Sequence, residues 1–136
     1  RERLEPKLQK LMSGIEARTA VNSLLNLTVA INYGGRDELA RAASLMARDV
    51  LEGRLALADA GEAALEARLD TAGIPDPDLV IRTSGETRTS NFLPWQSAYA
   101  EYEFTPTLWP DFTRDELADI LARFAARDRR FGGVGP

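Results

Sequence analysis

The hydrophobic and polar positions along the chain predict a helix at each end, with further helices and two extended segments between them. Apolar residues recur at helical spacing through the first twenty residues and again from Leu39 to Val50. Between residues 25 and 33 the pattern becomes strict alternation, which is typical of a strand with one apolar face. A wholly apolar run at residues 79–81 follows a proline-rich turn and indicates a buried parallel strand.

Short polar motifs predict where two further helices begin. Asp59 and Glu62 have the spacing of a capping box, in which each residue satisfies a free backbone amide of the other. Thr113 and Glu116 repeat that spacing before the last helix. The predicted buried stripe of this helix consists of Leu117, Ile120, Leu121 and Phe124. A strand, two helices and a second strand form a crossover unit, so we expect an α/β fold with a parallel sheet flanked by helices.

Composition narrows the possible chemistry. A length of 136 residues fits one domain, and a net charge of −4 argues against a nucleic-acid partner, which would require a basic face. The chain has no Cys and no His, which excludes disulfides, zinc sites and acid–base catalysis by histidine. Any metal must therefore be a hard cation with oxygen ligands. The absence of cysteine and of a long apolar segment is compatible with a cytoplasmic protein.

Candidate binding groups follow the two predicted strands. Residues 33–36 contain a glycine pair, and residues 82–91 contain Arg82, Arg88, several hydroxyl groups and a glycine. Ligands of open parallel sheets bind beyond the carboxyl ends of strands, and guanidinium groups bind phosphate oxygens in pairs. The second segment therefore has the composition of a phosphate-binding loop. The alternative, that both arginines are solvated loop residues, stays open on these grounds.

The region after this loop contains aromatic and acidic residues, and residue type and position alone favour a structural interpretation of both. The aromatic side chains between residues 92 and 104 are interpreted mainly as core. Glu101 is interpreted as a surface charge near the end of a short helical segment. Arg127, Arg129 and Arg130 suit the carboxyl end of the last helix, where positive charge is favourable.

Three blocks of the sequence closely resemble the cis-prenyltransferases. They are LNLTVAINYGGRDEL (25–39), DLVIRTSGETRTSNFLPWQSAYAEYEFTPTLWPDF (78–112) and RRFGG (129–133). The resemblance covers most of the chain, from Leu25 to Gly133. It implies a homodimeric, Mg²⁺-dependent transferase that condenses isopentenyl diphosphate with an allylic diphosphate such as farnesyl diphosphate. The implied product is a long-chain cis-polyprenyl diphosphate, such as the undecaprenyl diphosphate that carries cell-wall precursors.

The same resemblance implies roles for individual residues. Arg82 and Arg88 match arginines that hold the isopentenyl diphosphate, and Thr89 and Ser90 match the segment next to them. Glu101 matches a magnesium ligand, which reverses its interpretation as a surface charge. No catalytic residue is expected within the chain. The glycine-rich end resembles a tail that reaches the neighbouring subunit.

One departure from the family limits these expectations. The Asp-Gly-Asn-like loop that holds the allylic diphosphate is not found, so residues 1–136 are expected to form the C-terminal portion of a single domain. We expect this portion to be inactive alone and the whole protein to contact membranes peripherally through its lipid product. A non-catalytic partner subunit of a prenyltransferase complex is the alternative. An unrelated phosphate-binding module is a more remote one.

Overall fold

The structure is a computed structural model that describes residues 4–127. The chain divides into two compact units, with the boundary between Ile31 and Asn32. The first unit contains helix α1, Pro6–Thr19, and the second contains the remaining helices and the sheet. No helix within the described residues combines the length and the apolarity needed to cross a membrane.

The first unit confirms the predicted N-terminal helix. α1 begins at Pro6, where a proline loses nothing because the first amides of a helix have no intrahelical partner. No residue of α1 is buried, and Leu11 and Ile15 on its apolar face are exposed. The helical period is therefore present, while its apolar stripe is only partly covered.

The prediction of a strand at residues 25–33 is wrong for this structure. The segment has no regular secondary structure, and Leu25, Leu27 and Val29 are exposed. Alternation describes a strand that has a partner, and the sheet formed by the described residues contains two other strands only. Asn32 also has a φ of 55°, which ends the extended geometry before Tyr33. The predicted crossover from this segment to residues 79–81 is therefore absent from the described part of the chain.

The second unit begins with the longest helix. α2 runs from Gly35 to Leu51, as the helical spacing predicts, and buries Glu38 and Ala42. A 3₁₀ turn, Leu57–Asp59, and a short helix α3, Glu62–Glu66, follow. The predicted capping box is wrong, because Asp59 belongs to the 3₁₀ turn. The residue preceding α3 is Gly61, which supplies no side-chain cap.

Two short parallel strands form the sheet, which confirms the α/β class. β1 is Leu79–Arg82 and β2 is Glu101–Phe104. Leu79 is opposite Glu101 and Arg82 is opposite Phe104. The short helical segment expected before Glu101 is wrong in one respect, because Glu101 begins a strand. The polar–aromatic alternation of residues 101–104 was a signal for that strand.

Helix α4, Arg114–Ala125, follows a 3₁₀ turn at Trp109–Asp111. Half of its predicted capping box is confirmed, since the Glu116 amide donates to Thr113 Oγ1 over 3.2 Å. The Glu116 carboxylate accepts a bond of 2.6 Å from the Thr105 hydroxyl, which ties α4 to the segment after β2. Ile120 is fully buried, whereas Leu121, placed in the same stripe by the sequence, is 48% exposed.

None of the aromatic residues between positions 92 and 104, which were expected mainly in the core, is fully buried. Phe92, Tyr99 and Phe104 are exposed, so the core prediction is wrong for these three. Phe92 makes an edge-to-face contact with Tyr33 at 5.7 Å between ring centres. Arg129, Arg130 and the RRFGG block lie outside the described residues.

Candidate functional site

The site is built around the carboxyl end of β1. Backbone bonds fix the chain where it leaves the strand: the Thr105 amide donates to the Arg82 carbonyl over 2.9 Å. The amides of Ser84 and Gly85 donate in turn to the carbonyls of Thr107 and Thr105, over 2.8 and 2.9 Å. The residues after both strands therefore form one hydrogen-bonded edge. The loop 83–100 starts from this fixed edge.

A cavity of about 330 Å³ opens at this edge. It is lined by Val80, Ile81, Arg82, Thr83, Ser84, Glu86, Arg88, Thr89, Phe92 and Tyr102. The structure thus brings three of the sequence-predicted residues, Arg82, Arg88 and Thr89, into one cavity. Apolar and aromatic side chains form the rest of the wall, so the cavity combines cationic and apolar surfaces.

The remaining predicted loop residue, Ser90, is held against Arg82. Arg82 Nη2 donates to Ser90 Oγ over 3.1 Å. Arg88 forms an ion pair with Glu86, and its side chain is 71% exposed. An anion in the cavity would therefore compete with Glu86 for Arg88, while Arg82 is held by a neutral hydroxyl. Charge-assisted bonds to an anion are stronger than the bond to a hydroxyl.

Glu101, the predicted metal ligand, lies elsewhere. It is the first residue of β2, opposite Leu79, three positions from the level of Arg82 and Phe104. That separation is about 10 Å along the strands. Its Oε2 accepts a bond of 2.6 Å from Arg127 Nη1. The structure therefore does not bring Glu101 together with the arginine loop.

Sequence reasoning missed Glu38, which forms a hydrogen bond with Gln96 of the loop 83–100. Glu38 is 1% exposed and accepts three bonds: from the Tyr33 hydroxyl at 2.6 Å, the Gln96 amide at 3.1 Å and the Asp70 backbone amide at 2.8 Å. Burial, and then the bond to Glu38, raise the pKa of Tyr33 well above its usual value. No local sequence signal marks Glu38, because Gln96 is 58 residues away in the chain.

An α/β fold that gathers arginines and hydroxyls at a strand end is typical of proteins that bind phosphorylated ligands. The comparisons with known proteins make this class specific. A family model described as "Putative undecaprenyl diphosphate synthase" matches residues 1–132. The chain therefore belongs to this family, the cis-prenyltransferases.

Individual relatives agree with this assignment. The isoprenyl transferase of Agrobacterium fabrum is 49% identical over 98% of this chain and 54% of the relative. The ditrans,polycis-undecaprenyl-diphosphate synthase ((2E,6E)-farnesyl-diphosphate specific) of Xanthomonas axonopodis pv. citri is 49% identical over 97% of this chain and 51% of its own length. The chain spans about half the length of these curated relatives.

A solved structure shares the fold. The crystal structure of lavandulyl diphosphate synthase from Lavandula x intermedia, in complex with dimethylallyl diphosphate, matches with a TM-score of 0.91. The identity is 41%, over 96% of this chain and 56% of that chain. The described elements therefore form part of the cis-prenyltransferase fold.

Proposed function

We propose that this chain supplies the isopentenyl-diphosphate-binding part of a cis-prenyltransferase. The whole enzyme would condense isopentenyl diphosphate with an allylic diphosphate, such as farnesyl diphosphate, to make a long-chain cis-polyprenyl diphosphate such as undecaprenyl diphosphate. The observation that carries the proposal is the shared cavity of Arg82, Arg88 and Thr89, with Ser90 bonded to Arg82. The alpha/beta fold and the family membership support it.

The walls of the cavity suit a small ligand with one charged and one apolar end. Arg82 and Arg88 line the cavity, and Val80, Phe92 and Tyr102 line it as well. Isopentenyl diphosphate has a diphosphate joined to a five-carbon alkene. Two guanidinium groups on the diphosphate would fix the position of the double bond, which is an effect of orientation.

The reaction assigned to the whole enzyme needs no covalent bond to the protein. The allylic carbon–oxygen bond breaks, diphosphate leaves, and the double bond of isopentenyl diphosphate attacks the allylic cation. Loss of a proton then restores a double bond in the lengthened chain. The role proposed for Arg82 and Arg88 is to hold the attacking substrate, and Thr89 and Ser90 add neutral donors beside them.

A magnesium site is not complete within this part of the chain. Residues 4–127 contain no group of three acidic side chains that could hold a metal ion. Glu101 Oε2 pairs with Arg127, so a cation at this oxygen would compete with the guanidinium. We propose Glu101 as one magnesium ligand among several, and we assign no step of the reaction to the metal. Mg²⁺ binds as a hard cation through carboxylates, phosphate oxygens and water.

The pairing of Glu101 with Arg127 favours one other candidate. A non-catalytic partner subunit would keep the fold and could use this carboxylate for structure alone. It would have no need for a cavity with two arginines. The two candidates, part of an enzyme and a non-catalytic subunit, therefore differ in whether an enzyme that contains this chain is active.

A chimera tests the proposed function. This chain would replace the matching segment of the Agrobacterium isoprenyl transferase, and incorporation of radiolabelled isopentenyl diphosphate would be measured. We expect activity from the chimera and none from the 136-residue chain alone. A folded chimera without activity would favour the non-catalytic candidate.

Arginine variants of the chimera test the division of the site. Arg82→Ala and Arg88→Ala should each lower kcat/KM for isopentenyl diphosphate by roughly ten- to hundredfold, since each removes a charge-assisted bond. The KM for the allylic substrate should change much less. Arg48→Ala, on the exposed face of α2, is the matched control. A loss confined to the allylic substrate would contradict the assignment.

Glu101→Gln in the same chimera tests the metal ligand. It removes one charge at nearly constant size, so activity should fall and the Mg²⁺ concentration for half-maximal rate should rise. Glu103→Gln is the matched control, because Glu103 also binds Arg127. Equal magnesium dependence in the two variants would show that Glu101 has a structural role only.

A further inference from the structure

The backbone of the cavity loop is held in an unfavourable conformation. Ser84, Ser90, Asn91 and Leu93 all have positive φ, between 46° and 69°. Residues other than glycine rarely adopt this left-handed region, and they stay there only where surrounding contacts hold them. The turn that contains Ser90 and Asn91 therefore needs an external support.

The first turn of α2 provides that support. The Gly35 amide donates to the Asn91 carbonyl over 2.8 Å, and the Arg36 amide donates to Asn91 Oδ1 over 2.8 Å. The first amides of a helix have no intrahelical acceptor, and Gly34 in the N-cap position has no side chain to supply one. Asn91 thus caps α2 from a loop that lies 55 residues later in the chain.

The contact is close enough to specify glycine. A Cβ at position 35 would lie 2.0 Å from Pro94 Cδ and 3.1 Å from the Asn91 carbonyl oxygen. Only a residue without a side chain permits this approach. The helix start and the loop therefore form a tight joint, for which we use the term Asn91 clamp: Gly35, Arg36, Asn91 and Pro94.

The clamp is adjacent in the chain to a proposed ligand-binding group. Ser90 immediately precedes Asn91, and Ser90 Oγ accepts the bond from Arg82. A turn fixed at Asn91 therefore fixes the hydroxyl against which the Arg82 guanidinium is oriented. If the turn were released, Ser90 could move away and its hydrogen bond with Arg82 would break.

We infer that Asn91 is a positioning residue for the binding of isopentenyl diphosphate: by capping α2 it holds Ser90 and, through Ser90, the guanidinium of Arg82. The inference rests on the proposed function of the cavity. It assigns Asn91 no contact with the substrate.

Three variants of the 136-residue chain separate the cap from the backbone conformation. Asn91→Gly keeps the left-handed backbone and the carbonyl acceptor but removes Oδ1. Asn91→Ala also removes Oδ1 and adds strain. Asn91→Asp keeps an acceptor for the Arg36 amide and serves as the conservative rescue. Asn32→Gly is the matched control, since Asn32 has a φ of 55° and lies outside the clamp.

Two measurements are needed: calorimetric titration with isopentenyl diphosphate, and amide hydrogen exchange at Arg36. We expect Asn91→Gly to bind isopentenyl diphosphate about three- to tenfold more weakly, in line with the loss of one hydrogen bond, and to lose protection at Arg36. Asn91→Ala should bind more weakly still. Asn91→Asp and Asn32→Gly should stay within about twofold of the parent in affinity.

The outcomes distinguish the inference from the function on which it rests. If Arg82→Ala weakens binding while Asn91→Gly binds like the parent, the positioning role is wrong and the proposed function stands. If the parent shows no binding that Arg82→Ala can weaken, the proposed function fails and the role of Asn91 in binding fails with it. Loss of affinity in Asn91→Gly with rescue in Asn91→Asp supports both.

Discussion

At the scale of single residues, Glu38 is the least expected feature of the second unit. It is a carboxylate buried in a helix, and its hydrogen bonds come from a tyrosine hydroxyl, a glutamine amide and a backbone amide. A buried polar group is tolerated only when its hydrogen-bonding capacity is filled in this way. Gln96 also donates to Thr71 Oγ1 over 2.9 Å, so the network joins α2 to two separate loops.

Replacement of Glu38 by glutamine tests this network. Glu38→Gln nearly keeps the shape but presents an amide NH₂ to a site where three donors point inward. We expect the free energy of unfolding to fall by roughly 1–3 kcal/mol, the cost of unsatisfied buried groups. Urea denaturation measures it, with the exposed Glu62→Gln as control. Equal free energies of unfolding for Glu38→Gln and Glu62→Gln would show that the hydrogen bonds of Glu38 do not stabilise the fold.

The sequence predicts some of these residues and not others, for a physical reason. Arg82 and Arg88 could be predicted to lie together at a strand end, because position relative to a strand end is a local property. Asn91 and Glu38 could not, because their partners are distant in the chain and single-sequence patterns do not report distant pairs. Glu101 lies between these two cases. The family resemblance predicts it as a magnesium ligand, and the structure shows it in an ion pair with Arg127.

At the scale of elements, ion pairs connect α4 and the residue Arg127 just after it to β2. Arg123 binds Glu103, and Arg127 binds Glu101 and Glu103, with 2.7 Å from Arg127 Nη2 to Glu103 Oε2. The hydrogen bond from Arg123, followed by the charges of both arginines, lowers the pKa of Glu103 below its usual 4.5. The carboxylate is therefore ionised in the folded chain at pH values where the unfolded chain is already taking up protons.

This shift predicts a direction for the pH dependence of stability. A lowered carboxylate pKa stabilises the fold above the unfolded value, about 4.5, and the contribution is lost as pH falls through the folded pKa. Glu103→Gln should therefore be less stable than the parent at pH 7. The stabilities of the two proteins should converge as pH falls below about 4.5. Urea midpoints across this range measure the effect. A constant difference between parent and variant would contradict it.

The helices could be predicted better than the strands because helical bonds are local. The periods of α1, α2 and α4 are all confirmed, and so is the Thr113 cap. The alternation at residues 25–33 could not decide whether a partner strand exists, since strand pairing is set outside the segment. The capping box at Asp59 failed because Asp59 belongs to a 3₁₀ turn, while Glu62 begins α3 directly after Gly61.

At the scale of the whole molecule, large apolar side chains are exposed on both units. Leu25 and Leu27 are examples in the first unit, and Tyr99 and Trp109 are examples in the second. Large apolar side chains that stay exposed can contribute to an association surface. Together with the homodimer that the family resemblance implies, this exposure leads us to propose that the chain self-associates.

Sedimentation tests the association. We expect dimers at micromolar concentrations, with a dissociation constant that changes little between low and high salt, because apolar contacts are not screened by ions. A monomer throughout this range would remove the homodimer from the proposal. Strong weakening by salt would instead indicate an interface of charged groups.

The Asn91 clamp has a consequence for the order in which the chain can fold. The start of α2 is completed by an acceptor 55 residues downstream, so its last bonds cannot form while only the helix itself has been synthesised. At a synthesis rate of about 5–20 residues per second, this interval lasts roughly 3–11 s. During that time the start of α2 lacks its acceptors. Synthesis of the downstream loop, rather than helix propagation, then sets the earliest time at which the start of α2 can obtain its acceptors and the cavity loop its shape.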